Sequence, residues 1–159
     1  MTISSTLMKA ILAMDSYNRS YNQGIQFSGE AIGTATIILD SSNLGYVLDE
    51  NGQPVLDGNN QPIRLDQSIG FYAIAYEYNG EVVVSYRGTD EDILPWSNDV
   101  LNAYGIAIGD ADTDQSRMAI AFYKEVAALA DPNNANPYLS TVSVTGHSMG
   151  GGLSGCAFA

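Results

Sequence analysis

The stretch Val142 to Gly152, VSVTGHSMGGG, is a β-type run that breaks into glycines around one serine, Ser148. Val142 and Val144 precede the break as a strand requires, and the glycines after it leave a small-faced helix suited to close packing on a sheet. Gly146-His147-Ser148-Met149-Gly150 fits G-x-S-x-G, a pattern in which the serine occupies a sharp strand-to-helix turn that lifts its hydroxyl clear of the backbone. A serine so placed is a candidate nucleophile, and it needs a base. The chain's one histidine, His147, stands next to it. Adjacent residues in extended structure point to opposite sides, and a base must come within about 3 Å of the serine oxygen, so His147 reads as a structural support.

Upstream of this strand, Gln115 to Ala130 carries Met118, Ala119, Phe122, Val126 and Leu129 at helical spacing, with Thr113 or Asp114 as its cap. A short helix is expected over Trp96 to Tyr104 after Pro95. Phe71 to Tyr78 and Glu81 to Tyr86 read as strands joined by Asn79-Gly80, a strong hairpin signal, and Val82-Val83-Val84 suits a strand buried on both faces. From residue 81 onward the order strand, helix, strand, helix indicates an α/β sheet with parallel crossovers. Ser5 to about Ser16 reads as a helix capped by Ser4 or Ser5, Tyr17 to Gly33 as loop, and Thr34 to Leu39 as a short strand. NGQPVLD at Asn51 is echoed by NNQPIRLD at Asn59, which reads as a surface β-hairpin. Calcium is the alternative use of Asp49, Asn51, Asp57 and Asn59, although their spacing does not match an enclosing loop. Asp110, Asp112 and Asp114 start like an EF-hand, but Gln115 and Ala121 stand where that loop has glycine and glutamate.

With 159 residues, the chain has the size of one domain with a proper core. Eighteen acidic residues against six basic ones give a net charge of −12, a field that repels phosphate backbones and argues against nucleic acid as a partner. The single cysteine, Cys156, excludes an internal disulfide. No convincing signal peptide opens the sequence, and no run approaches the ~20 apolar residues that span a bilayer.

VVVSYRGTDEDILPWSNDV, Val82 to Val100, followed by VSVTGHSMGGG, resembles the class 3 lipases. These are serine esterases of the α/β-hydrolase fold. The opening helix with LAMDSYNR is similar to the N-termini of secreted bacterial lipases of that group. The resemblance implies an α/β class with a mostly parallel sheet and flanking helices, cut off after the serine turn, residues 1–159 being the N-terminal portion of one lipase domain. It implies Ser148 as nucleophile, Thr89 with Met149 as the oxyanion hole, and His147, Trp96 and Asp99 as structural supports. The family's aspartate and histidine follow the serine along the chain and are expected beyond Ala159.

The expected activity is hydrolysis of acyl esters, including lipids, by a lipase or carboxylesterase whose first 159 residues are inactive alone. The alternative is a non-catalytic module that binds a complementary chain or lipid. The complementary C-terminal fragment, or a second copy, is the expected cover for an exposed sheet edge beside the serine strand. No cofactor is expected within these residues, calcium being reserved for a C-terminal part. The resemblance implies an extracellular protein, with a cytoplasmic location as the alternative.

Overall fold

A computed structural model describes residues 3–20, 31–88, 113–130 and 142–157. Among them, five strands form one sheet in chain order: β1 (Ala31–Ile32), β2 (Ala35–Asp40), β3 (Ala73–Tyr78), β4 (Glu81–Tyr86) and β5 (Val142–Gly146). The helices are α1 (Ser5–Asp15), the single turn α2 (Leu65–Ser68), α3 (Asp114–Ala130) and α4 (Met149–Cys156). The expected mostly parallel α/β-hydrolase sheet is not what forms. The pairs β1–β2, β2–β3 and β3–β4 are antiparallel, and β4–β5 alone is parallel among the described pairs.

Connection length accounts for this correction. A two-residue turn sends the next strand back beside the first, whereas parallel neighbours need a crossover of a dozen or more residues. Asn79 and Gly80, with φ of 54° and 78°, make such a tight turn between β3 and β4. The interval that holds α3 supplies the crossover between β4 and β5. The strand-helix-strand unit read from the sequence is present, but it does not extend to the rest of the sheet.

The sheet is covered on both faces. Val82, Val84 and Tyr86 of β4 pack with Phe71, Met118, Phe122, Val126 and Leu153, under α3 and α4. Val83 faces the other way, into a cluster with Met8 and Leu12 of α1 and with Tyr72, Ile74 and Tyr76. Val82, Val83 and Val84 are fully buried, as a strand covered on both sides demands. Ser4 caps α1 by accepting the Leu7 N–H, and Thr113 Oγ1 accepts the Ser116 N–H at the start of α3.

Polar side chains fasten α1 to the sheet. Ser85 Oγ donates to the Leu12 carbonyl at 3.1 Å, and Thr145 Oγ1 donates to that of Lys9 at 3.2 Å. Buried Asp15 accepts from Tyr76 at 2.7 Å and from Arg19 at 2.8 Å. Burial first, then this carboxylate, pushes the Tyr76 phenol upward, so it remains the donor.

Lys9 Nζ bonds Glu81 Oε1 at 2.7 Å. Burial works to raise the Glu81 carboxyl, but the Lys9 hydrogen bond and charge, with a bond from Ser143, hold it below the usual glutamate value. This pair therefore stabilises the fold above the ordinary carboxylate range, and that contribution is lost as pH falls through the depressed value. Glu81→Gln is expected to cost about 1 kcal/mol or less near neutrality and progressively less as pH falls through the depressed value, measured by urea unfolding across that range.

The echoed segment forms more than a hairpin. Val55 N–H donates to Val47 O, Ile63 N–H to Val55 O and Val47 N–H to Ile63 O, at 2.8, 2.9 and 2.9 Å, closing a ring of three at an eight-residue period. Asp49 Oδ1 accepts the backbone N–H groups of Asn51 and Gln53, and Asp57 Oδ1 those of Asn59 and Gln61. Bonds from Gln53 and Asn51 hold the Asp49 carboxyl below its usual value. The two carboxylates considered for calcium are thus turned on their own loops, which explains why the motif repeats.

Candidate active site

β5 ends at Gly146 and α4 begins at Met149, so His147 and Ser148 alone make the turn. Ser148 has φ 56° and ψ −129°, a region that side-chain-bearing residues rarely adopt and that costs about 1–3 kcal/mol. Local bonds hold it there. Gly150 N–H donates to His147 O at 3.0 Å and Gly151 N–H to Ser148 O at 2.9 Å. Ser148 is exposed, whereas Met149 beside it is buried.

Three glycines are required by space. A Cβ on Gly146 would collide with the Gly150 carbonyl, and one on Gly150 with the Tyr86 carbonyl. A Cβ on Gly88 would stand 2.7 Å from His147 O and 3.2 Å from Ser148 Cβ. The end of β4, the serine turn and the start of α4 are therefore packed backbone against backbone.

The β4 end is itself pinned. Tyr86 donates to the Ala119 carbonyl at 3.0 Å, and Arg87 N–H donates to Tyr72 O at 3.0 Å. The buried Arg87 guanidinium lies 4.9 Å from the Tyr72 ring centroid and donates to Arg19 O at 3.3 Å. Gly88 N–H donates to the Tyr17 hydroxyl at 3.0 Å.

Of the residues expected at the site, Ser148, Met149 and His147 lie together at this turn. Met149, the first residue of α4, places its backbone N–H directly after the serine at the positive end of the helix. Thr89, Trp96 and Asp99 lie outside the described residues, as do Asp110, Asp112 and the helix expected over 96–104. His147 Nδ1 is 3.3 Å from the Tyr17 hydroxyl, with the two rings edge to face at 5.9 Å. Asp114 opens α3, 3.9 Å from Arg117 and largely exposed.

Sequence reasoning missed Tyr17, which it left in a loop. The residue belongs to a 3₁₀ turn, Ser16–Asn18, that continues α1. No local pattern announces it, because its partner His147 is 130 positions away.

No helix among the described residues is long and apolar enough to cross a membrane. Searches of curated proteins and of solved structures found no significant match. The family model described as Mbeg1-like matches residues 55–159. That match overturns the resemblance to class 3 lipases. Within the stretches that carried the resemblance, Gly88, Gly146 and Gly150 sit where a Cβ would meet backbone, so these glycines report tight packing around a serine turn.

Proposed function

This chain belongs to the Mbeg1-like family, and we propose that it is a serine hydrolase of acyl esters, a carboxylesterase or lipase. The observation that carries the reading is Ser148 held exposed in a strained conformation between β5 and α4. Such strain persists only where the surroundings over-determine it, and it clusters at functional sites. Ser148 Oγ attacks the ester carbonyl carbon and its proton passes to a base. The tetrahedral oxyanion is met by the Met149 N–H and by Thr89, the alcohol leaves with a proton, and water releases the acid.

The base is an imidazole from outside these 159 residues. His147 faces Tyr17, and the chain has no second histidine. Calcium and a complementary chain remain outside what the reaction needs of the residues named here.

The natural gene product, treated with a fluorophosphonate, is expected to take up one phosphonyl group per chain on the peptide that contains Ser148, read by mass spectrometry. Absence of that adduct in folded protein would replace this reading with a binding module that hydrolyses nothing.

A further inference from the structure

We infer that Tyr17 is a positioning residue, its hydroxyl fixing the end of β4 against the serine turn. This inference rests on the serine-hydrolase reading and goes beyond it. Acyl transfer needs two chain segments at a set separation: the turn that presents Ser148, and the segment after β4 that leads into Thr89. The Tyr17 hydroxyl touches both. It accepts the Gly88 N–H at 3.0 Å and donates to the His147 carbonyl at 3.3 Å, with His147 Nδ1 also at 3.3 Å.

The arrangement leaves no room for adjustment. A Cβ on Gly88 would lie 2.5 Å from the Tyr17 hydroxyl as well as against His147 O, so glycine is what lets the three segments meet. Tyr17 has a firm mount, since Ser16 and Asn18 on either side are buried and Ser16 Oγ donates to Ala13 O at 2.8 Å. Asp15, two residues back, is tied to Tyr76 of β3. The Gly88 N–H is thereby engaged within the protein.

Removing this one oxygen changes the separation without removing the ring contact to His147. In the natural gene product, Tyr17→Phe is expected to slow fluorophosphonate labelling of Ser148 about tenfold and to lower kcat on p-nitrophenyl butyrate similarly, with KM unchanged. Exchange of the Gly88 amide with solvent deuterium is expected to rise in the same variant. A purely structural tyrosine would lower the unfolding midpoint and leave the labelling rate of the folded protein untouched.

Labelling of Tyr17→Phe at the wild-type rate, with none in Ser148→Ala, would overturn the role of Tyr17 and leave the serine reading standing. No labelling of the wild-type protein overturns both. Where Tyr17→Phe does not fold, the wild-type Gly88 amide decides: slow exchange at a residue outside any strand supports the bond, and free exchange overturns it.

Discussion

Ser148→Ala is expected to lower ester hydrolysis by the natural gene product by about four orders of magnitude or more, while His147→Ala lowers it about fivefold or less. The asymmetry follows from the turn. Ser148 sits exposed at a strained junction, and on the serine-hydrolase reading its removal takes away the attacking oxygen. The His147 side chain meets Tyr17, while its backbone carbonyl, which alanine retains, holds Gly150 and Tyr17. Initial rates on p-nitrophenyl butyrate, with folding checked by circular dichroism, separate the two variants. An equal loss in both would make His147 the base and sink the assignment made here.

Gly150→Ala carries the largest expected cost in stability. Its new Cβ would fall on the carbonyl of Tyr86 and within 3.1 Å of the Arg87 carbonyl carbon, and neither is a flexible side chain that can swing away. Helix α4 must then lift from the end of β4, taking Met149 and Leu153 out of the core they share with Tyr86 and Phe122. Overpacking of this kind costs about 3 kcal/mol or more when backbone must move, and a shift of about 1 Å at the serine costs about a hundredfold in rate. Gly155→Ala in the same helix is the control. A Cβ there meets nothing within 4 Å, so the better helix propensity of alanine is expected to leave stability unchanged or raise it by up to about 1 kcal/mol. Urea midpoints of the two variants provide the comparison.

Local chemistry was readable in the sequence wherever neighbours along the chain decide the structure. Asn79-Gly80 specifies its turn, Val82 to Val84 announce burial on both faces, and G-H-S-M-G marks the strained junction. The antiparallel pairing of β2 with β3 was not readable, because its direction depends on how the chain returns across residues 41–72 and not on either strand's composition. The closed ring of Val47, Val55 and Ile63 left a trace as an echo, yet its closing bond joins residues sixteen apart. Glycine spacing around a serine answers to steric contact, so it marks the turn without fixing the family.

The one parallel pairing among the described strands bears on the order of assembly. β3 and β4 are joined by two residues and close a hairpin in about 1–10 μs, a local event that proceeds without the rest of the chain. β5 must find β4 across some sixty positions, with Val82 meeting Val142 in register, and loop-closure entropy makes such distant contacts the slow ones. The turn at Ser148 exists only once that search is complete, and Tyr17 reaches His147 from farther still. A chain in which β5 has not yet paired can hold the β3–β4 hairpin without the Ser148 turn, so on the serine-hydrolase reading reactivity toward a serine-directed probe is expected only after that pairing.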